Sequence, residues 1–329
     1  MQNRVWSENH LKRMIVEQRK HMWRDDTIEM YSRWMKLRQG MTVVDVGCGL
    51  GYLGWTFWKY FGNKGRYFGL DQSFRLIDEA CSISSAWSQG GIASFQHGDA
   101  YKLPYPDDFA DWTMCQTLLM HLEHPEKALK EMIRVTKPGG LIMCNEPDNL
   151  SASMMVVDFS ENSVTDDYTL QHHRMMITWS RGRKKLGFGD FSIAVKIPMM
   201  MHNLGLIEID SRCNDTCNFV QPPYETSRQK YRIEIAKKNL EEDEEGDQRN
   251  RREFKEYFLA GGGSLSSYYR YMKRVDVLKE EYKKKHRQNI ENGTWYRSWG
   301  ASSFFCIKGR KAETVASTGV SNPSRRAEL

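Results

Sequence analysis

An aspartate followed by closely spaced glycines lies early in the chain, in the stretch VVDVGCGLGYLG. The glycines that follow Asp45 are Gly47, Gly49, Gly51 and Gly54. Glycine lets a backbone approach a ligand closely, because it has no Cβ to clash with it. The spacing fits the template G-x-G-x-x-G and also D-x-G-x-G-x-G. A carboxylate before the loop disfavours a pyrophosphate but suits a cationic ligand, so the charge favours the second template.

Two more aspartates follow strand-like runs further along the chain. Asp71 ends the run GRYFGLD, and Asp99 comes shortly after IASFQH. Ligands of open α/β sheets bind beyond the carboxyl ends of the strands, so we expect Asp45, Asp71 and Asp99 to converge on one rim. A turn or a helix cap explains each aspartate alone. The three together indicate a site for a positively charged ligand, whereas NAD carries two phosphates.

Short β-rich runs alternate with helical patterns between residues 41 and 150. This alternation is typical of a parallel sheet with crossover helices. Pro125 suits the first turn of the helix PEKALKEMIRVT, and Pro138 with the two glycines after it ends that helix before strand five. The sequence therefore predicts an α/β core.

The glycine stretch resembles motif I of the class I S-adenosylmethionine-dependent methyltransferases. GDAYKLPYPDDFAD and QTLLMHLEHPEKALKEMIRVTKPGG are similar to segments of the ubiquinone and menaquinone C-methyltransferases within that class. The resemblance implies S-adenosyl-L-methionine as the cofactor, and a seven-stranded, mostly parallel Rossmann-like sheet with helices on both faces and helical lid insertions. In that family the acid after strand two holds the ribose hydroxyls and the loop after strand three holds the adenine. The residues thereby implied to bind the cofactor are Asp45, Gly47, Cys48, Gly49, Gly51, Asp71, Gln72, Asp99, Ala100 and Gln116.

We expect the chain to be organised around this core, with flanks that form the acceptor site. The expected segments are an N-terminal helical cap (1–40), the cofactor-binding core (41–150), a helical lid insertion (151–197), a helix with the sixth strand of the core (198–213), a charged helical insertion (214–300), the last strand (301–310) and a disordered tail (311–329). The resemblance covers residues 41–150 well. It therefore names the cofactor rather than the acceptor.

Methyl transfer from a sulfonium needs no nucleophilic side chain, because the leaving group is already activated. Alignment of the reactants and exclusion of water supply most of the effect, and a general base helps if the acceptor must lose a proton. His121, after strand four, is the candidate base, and packing against the next helix is the alternative. His172 and His173 fit a surface position on the lid helix. Glu146 and Asp148 fit either the acceptor site or an ordinary loop.

The charge is unevenly distributed along the chain. Residues 41–150 carry nine Lys/Arg and thirteen Asp/Glu, a balance of −4 in a chain of net charge +6, so the flanks carry +10. Solvated helix faces explain such an excess, and an electrostatic guide for RNA or protein substrates is the alternative. QPPY, residues 221–224, is similar to a signature of DNA amino-methylating enzymes. It follows the sixth strand rather than the fourth, so DNA is not an expected partner.

No run is long and apolar enough to cross a bilayer, and the charged N-terminal segment lacks a secretory pattern. We therefore expect a cytoplasmic protein without integral membrane association. The seven cysteines form no CxxC pair, so we expect reduced thiols and no metal site.

The sequence predicts an S-adenosylmethionine-dependent methyltransferase that acts on a small-molecule or lipid-like acceptor by in-line transfer. RNA or protein methylation, or a non-catalytic cofactor-binding scaffold, are the alternatives. The acceptor and the oligomeric state stay open.

Overall fold

The computed structural model describes residues 23–85, 87, 90–154, 165–213, 217–241, 244–301 and 304–313. The predicted cap up to residue 22 and the predicted tail beyond residue 313 lie outside the described residues. The strands are β1 (Thr42–Val46), β2 (Arg66–Asp71), β3 (Ile92–His97), β4 (Ala110–Gln116), β5 (Thr136–Pro147), β6 (Leu206–Cys213), β7 (Cys217–Val220), β8 (Arg297–Ala301) and β9 (Phe304–Lys311). The α-helices are α1 (Asp25–Trp34), α2 (Tyr52–Phe61), α3 (Phe74–Ser84), α4 (Pro125–Val135), α5 (Asn149–Met154), α6 (Asp166–Lys185), α7 (Ile197–Asn203), α8 (Ser227–Asn239), α9 (Glu244–Ala260) and α10 (Leu265–Glu291).

Seven strands form one sheet in the order β3-β2-β1-β4-β5-β9-β6. β9 runs antiparallel to both of its neighbours, and the other pairs are parallel. This confirms the predicted seven-stranded, mostly parallel sheet. The chain moves outward from β1 to β3 and then returns to place β4 on the other side of β1. The topological switch therefore lies between β1 and β4, where open α/β sheets bind their ligands.

Helices cover both faces of the sheet, which is why every residue of β1 is buried, Asp45 included. On the first face, which we call the α1 face, α1 and α2 pack over Val43 and Met143. Aromatic rings fill this layer, as where Phe57 meets Trp112 edge-on at 5.7 Å. On the second face, the α4 face, α4 and α7 form the other half of the core. Because both faces of the sheet are buried, its central strands are apolar on both sides. They therefore appear in the sequence as continuous apolar runs and not as alternating patterns.

The sheet ends at β6, whose residues are mostly exposed. The ladder between β6 and β9 shifts register between Ile207 and Asp210. Glu208 lies within the shift at φ +49°, and its carboxylate pairs with Arg310 of β9 at 3.2 Å. This irregularity bends the outer strand as a β-bulge does.

Three helices outside the sheet, α6, α9 and α10, form what we call the helical unit. Its cluster of buried side chains consists of Met175, Phe258, Tyr268 and Tyr271. α6 and α9 cross with their backbones in contact, because a Cβ on Gly182 would lie 1.7 Å from the carbonyl oxygen of Tyr257. β7 and β8 pair separately from the main sheet, which the sequence did not predict.

The helical unit carries many charges on its surface, and some of them are paired between helices. Arg274 of α10 contacts Asp167 of α6 at 2.6 Å, and Arg251 of α9 pairs with Asp276 of α10. α10 is 27 residues long but rich in lysine and glutamate. Within the described ranges, no helix combines the length and the apolarity that crossing a membrane requires.

We expect Gly182→Ala to lower the free energy of unfolding by about 1–3 kcal/mol, because the new methyl group must push α6 and α9 apart. The better helix propensity of alanine, worth about 1 kcal/mol, does not offset this displacement. Urea denaturation followed by circular dichroism measures the change. Arg181→Ala, at the adjacent exposed position, is the control. Equal stability of the two variants would contradict the helix contact.

Candidate functional site

The loop between β1 and α2 folds back onto the end of β2. The amide of Gly47 donates to the carbonyl oxygen of Leu70 at 2.7 Å. Gly51 has φ +80°, and a Cβ there would lie 2.8 Å from the Phe95 ring, so only glycine fits. Gly49 has φ +54°, but its Cβ position meets no heavy atom of the described residues within 4 Å. The loop is therefore packed on its inner side and open at Gly49.

α2 begins directly after this loop. Gly51 is its N-cap, no side chain within the described part of the chain caps it, and its first turn has no acidic residue. The first-turn N–H groups and the helix dipole therefore favour an anionic group at this end. Cys48 is half-buried in the loop, and its thiol donates to the carbonyl oxygen of Gly49 at 3.6 Å. Burial raises the pKa of Cys48, which keeps the thiol neutral.

Asp71, at the end of β2, ties the glycine loop to its strand. One carboxylate oxygen accepts from the Gly49 amide at 2.9 Å, and the other accepts from the Ser73 amide at 2.9 Å. Burial raises the pKa of Asp71, and these two hydrogen bonds act in the opposite direction. A carboxylate has about four acceptor positions. Asp71 can therefore hold the loop and still accept hydrogen bonds from a ligand.

Asp45 lies deeper than the sequence suggested. It is 1% exposed, below the loop, and accepts from the Tyr67 hydroxyl at 2.7 Å. Burial raises the pKa of Asp45 to about 7, the Tyr67 hydrogen bond opposes this, and the charge of Asp71 adds to it. Its carboxyl group thus changes charge near neutral pH. The predicted role of Asp45 toward the cofactor stays a prediction.

The outer part of the rim, after β2 and β3, is more exposed. Asp99 is exposed and accepts from the Tyr101 amide at 2.9 Å, as a turn aspartate does. Gln72 is also exposed, and Ala100 packs partly into the core of the α4 face. Their predicted roles are untested. This edge of the sheet thus combines the exposed polar side chains of Asp99 and Gln72 with the partly buried, apolar Ala100.

Two aromatic rings that the sequence analysis did not single out complete this edge. Phe74 stacks on His97, with centroids 3.7 Å apart and planes 4° from parallel. Phe74 is 67% exposed although it is a large apolar side chain. The exposed stack marks the rim next to Asp71. The only sequence signal for this stack was the position of Phe74, in the first helical turn after the aspartate that ends β2.

The carboxylate of Glu146 stabilises the turn that follows β4. It is fully buried, and one of its oxygens accepts from the amides of Leu118 and Leu119 at 2.8 Å. The other oxygen accepts from Met120 at 3.3 Å. This carboxylate caps the 3₁₀ turn Leu119–His121. Of the two interpretations of Glu146, the structure supports the structural one.

Asp148, two residues after Glu146, also has a structural role. It accepts from the amide of Ser151 at 3.4 Å and also from its hydroxyl, so it caps α5. Its neighbour Asn149 donates to the carbonyl oxygen of Phe191 at 2.9 Å. The polar residues directly after β5 therefore cap a helix and hold a loop, which are structural roles.

His121 is half-buried at the end of the 3₁₀ turn and contacts Arg183 of α6. Arg183 Nη2 lies 3.1 Å from His121 Nδ1, and Nη1 donates to the carbonyl oxygen of Met120 at 3.0 Å. A guanidinium only donates, so Nδ1 carries the lone pair and the neutral ring carries its hydrogen on Nε2. Sequence reasoning missed Arg183, because its partner lies 62 residues away.

The other two histidines that the sequence analysis considered, His172 and His173, lie within or beside the helical unit. His172 Nδ1 is 2.6 Å from the hydroxyl of Tyr271. Burial lowers the pKa of His172, with a contribution from the neighbouring His173. His173 Nδ1 lies 3.5 Å from the hydroxyl of Ser153 in α5. His172 is thus half-buried between helices rather than on an open surface.

The predicted residues thus share one edge of the sheet. The glycine loop, Asp71 and Gln116 lie at the ends of adjacent strands, and Gln116 is half-buried. The combination of helix N–H groups with carboxylates suits a ligand that carries both charges. Among the described residues, no three His, Cys, Asp or Glu side chains form a group that could hold a metal ion.

An open, mostly parallel α/β sheet with a glycine loop and an acidic strand end at its switch point defines a Rossmann-like cofactor-binding domain. The family described as "Methyltransferase domain" matches residues 37–187. This part of the chain is therefore a methyltransferase domain, of the class I type that uses S-adenosylmethionine. The match confirms the resemblance noted in the sequence.

Relatives of known name agree with this class. An uncharacterized methyltransferase of Schizosaccharomyces pombe is 36% identical over 149 residues, which cover 43% of this chain and 52% of that protein. A demethylmenaquinone methyltransferase of Geobacillus kaustophilus is 32% identical over 140 residues, covering 42% and 58%. A 2-phytyl-1,4-naphtoquinone methyltransferase of Synechococcus elongatus is 32% identical over 110 residues, covering 33% and 47%. The chain spans about half the length of these relatives.

We expect Asp71→Ala to weaken the binding of S-adenosylmethionine by about tenfold or more, because a charged acceptor for the ribose hydroxyls is lost. Isothermal titration measures the affinity. Ser73→Ala is the control: it removes the hydroxyl that accepts from the Leu76 amide at the start of α3 but keeps the carboxylate. An unchanged affinity for Asp71→Ala would rule out this role.

The pKa of Asp45 is about 7, and Asp45 is a predicted cofactor contact, so we expect cofactor binding to depend on pH. Asp45 ionises as the pH rises, so we expect the affinity for the cationic S-adenosylmethionine to increase by about fivefold to tenfold between pH 6 and pH 8. Isothermal titration at both pH values measures this. Asp45→Asn, which can still accept from Tyr67, should remove the dependence. S-adenosylhomocysteine, which lacks the sulfonium charge, should show less of it, and a flat profile for S-adenosylmethionine would refute the expectation.

Proposed function

We propose that the protein transfers a methyl group from S-adenosylmethionine to a small, apolar or lipid-like acceptor. One observation carries the proposal: an open glycine loop tied to the Asp71 carboxylate at the switch point of a methyltransferase domain. A site of this composition suits a ligand that is cationic at the reacting centre. The activity of the whole chain and its acceptor are part of the proposal.

The residues present fit the cofactor. Asp71 would hold the ribose hydroxyls, since it accepts one backbone amide at each oxygen and keeps further acceptor capacity. The open side at Gly49 would admit the ligand, and the first-turn N–H groups of α2 would hold its carboxylate. When bound, S-adenosylmethionine supplies an activated methyl group: its C–S bond breaks as the bond to the acceptor forms, and the acceptor releases a proton.

We assign the adenine to the outer rim of the site. Asp99, Ala100 and Gln72 are the residues proposed to surround it, by resemblance to the family. The exposed stack of Phe74 on His97 supports this assignment, because it places an apolar surface beside Asp71. The half-buried Gln116 and Cys48 complete the proposed cofactor site toward β4.

His121 is the proposed catalytic residue, and its contact with Arg183 limits what it can do. While Arg183 occupies Nδ1, the nitrogen that bears hydrogen is Nε2, which donates to an oxygen of the acceptor. Proton removal by the ring requires that one nitrogen be released from these bonds. His121 thus orients the acceptor in this arrangement, and acts as a base only when Arg183 withdraws.

The acceptor is proposed to be an aromatic or quinol-like molecule. Two of the relatives are named for the methylation of naphthoquinone compounds. Aromatic and methionine side chains are frequent on the α1 face and in the helical unit, which supports an acceptor of similar character. We also propose a cytoplasmic location, supported by the free state of the six cysteines whose side chains are described.

RNA or protein methylation is the second candidate. The end of α10 exposes Lys284, Lys285 and Arg287, and α8 ends with Lys237 and Lys238. Such a surface attracts a polyanion. A steep loss of activity with added salt would favour this candidate, since phosphate contacts release counterions. A neutral acceptor gives little salt dependence.

Methyl-labelled S-adenosylmethionine tests the function directly. The protein is incubated with 1,4-naphthohydroquinone, kept reduced, and separately with cell extract before and after nuclease or protease treatment. We expect label in the organic-soluble fraction and in the naphthohydroquinone. Asp71→Ala is the negative control. Label that disappears with nuclease or protease supports the second candidate, and no binding of the cofactor at millimolar concentration rejects both.

We expect His121→Ala to lower turnover by about 100-fold without changing cofactor affinity, because His121 is proposed to contact the acceptor and not the cofactor. The same labelling assay and isothermal titration measure the two quantities. His124→Ala, at a nearby exposed position, is the matched control. Equal turnover for both variants would exclude His121 from the reaction.

A further inference from the structure

Asn145 is an amide buried near the carboxyl end of β5. Its side chain is 0% exposed, and among the residues that the structure describes neither its carbonyl oxygen nor its amide nitrogen has a hydrogen-bond partner. Buried polar side chains in folded proteins almost always have one. An amide that uses neither its donors nor its acceptor therefore requires an explanation.

Alternation along β5 places Asn145 on the α1 face. Leu141 and Met143 belong to the cluster of that face, and Ile142 and Cys144 belong to the cluster of the α4 face. Side chains two residues apart on a strand share a face. Asn145 therefore follows Met143 on the α1 face, one step nearer the carboxyl edge of the sheet.

The neighbours of Asn145 across the sheet place it beside the proposed cofactor site. It is in register with Gln116 of β4 and with Cys306 of β9. Gln116 lies nearer the glycine loop and is a proposed cofactor contact. Asn145 is one strand further from the loop, where a molecule bound next to the cofactor would lie.

α1 covers this part of the sheet. The carbonyl oxygen of Trp34, at the end of α1, accepts from Lys308 at the level of Met143. The hydroxyl of Tyr31, one turn earlier, donates to Cys213 near the carboxyl edge. Trp23, before α1, packs edge-on against Tyr31 at 5.5 Å. The amide therefore lies between the sheet and a helix with an aromatic layer.

We propose that Asn145 binds a hydroxyl group of the methyl acceptor and so orients the acceptor beside the cofactor. This inference rests on the proposed function and names the chemical class of acceptor. A hydroxyl group both donates and accepts, so one hydroxyl can pair with the carbonyl oxygen and the amide nitrogen of the same side chain. The surrounding Met114 and Met143 are apolar and buried, which favours a neutral hydroxyl over a charged group.

Enclosure of the amide has a consequence for binding. Asn145 has no exposed surface, so the acceptor reaches it only when the cover over the α1 face opens. Once the hydroxyl is in place, it is withdrawn from water together with the amide. An acceptor without a hydroxyl would leave both amide atoms unpaired, and such mismatches are strongly discriminated.

Two related ligands test the proposal on the full chain. The affinities of 1,4-naphthohydroquinone, kept reduced, and of 1,4-dimethoxynaphthalene are measured by titration with S-adenosylhomocysteine at saturation. We expect the wild type to bind the hydroquinone about tenfold more tightly than the dimethoxy compound. We expect the affinities of Asn145→Leu for the two ligands to differ by no more than about twofold, since the leucine side chain has no polar atom to pair with a hydroxyl group. Asn145→Ser, which replaces the amide by a single hydroxyl that can still donate or accept, should give an intermediate preference.

Controls separate this inference from the proposed function. Met143→Leu, two residues earlier on the same face, should keep the wild-type preference. Asn145→Leu should keep its affinity for S-adenosylhomocysteine and should melt at the same or a higher temperature, because an unpaired buried amide is replaced by an apolar group. Binding of S-adenosylhomocysteine by the wild type without preference for the hydroquinone overturns the inference and leaves the proposed function intact.

Three further results would also decide against the role of Asn145. Loss of S-adenosylhomocysteine binding in Asn145→Leu, but not in Met143→Leu, would assign the amide to the cofactor. A lower melting temperature of Asn145→Leu and Asn145→Ser would assign it to the core, for example through a buried water. A wild type that binds no S-adenosylhomocysteine rejects the proposed function itself.

Discussion

The hydrogen bond between the Gly49 amide and the Asp71 carboxylate is the contact on which the proposed site depends. It joins the loop after β1 to the end of β2, so two segments 22 residues apart in sequence keep one geometry. The same carboxylate also accepts from Ser73 at the start of α3. Because a single half-buried carboxylate serves the loop, the helix start and the proposed ribose position, the pKa and the solvation of Asp71 influence all three.

A second carboxylate, that of Glu146, has a similar structural role after β4, where we propose that the acceptor binds. Glu146 holds the 3₁₀ turn that ends in His121, and Arg183 of α6 bonds to that turn from outside. The helical unit is thus attached to the sheet next to the candidate catalytic histidine. A change in the position of α6 would alter the hydrogen bonding of His121 directly, without passing through the cofactor loop.

The sequence was sufficient for the parts that depend on local pattern. The alternation of apolar runs predicted the strands, and Asp71 was placed correctly at the end of β2 because it follows a short apolar run. The depth of Asp45 was not predictable, since its partner Tyr67 is on another strand and the pairing depends on sheet register. The capping role of Glu146 was left undecided for the same reason, because the amides it accepts from are 26–28 residues earlier.

Other features carried a signal that was missed. Asn145 is a polar residue inside the apolar run LIMCN, which is unusual in a strand buried on both faces. The glycine contact between α6 and α9 left a weaker signal, because a glycine inside a helical pattern often marks a close approach. The pair β7 and β8 had none, since its strands are 77 residues apart.

The irregular outer strand also affects how this chain behaves at high concentration. An exposed strand edge invites pairing with the edge of another molecule, which is the first step of sheet-mediated aggregation. In β6 the shifted register makes the backbone of the outer strand irregular, and Glu208 and Asp210 place charges on this strand. An incoming strand would find neither a continuous ladder nor a neutral surface. The bulge and these charges therefore disfavour edge-to-edge pairing of another strand at β6.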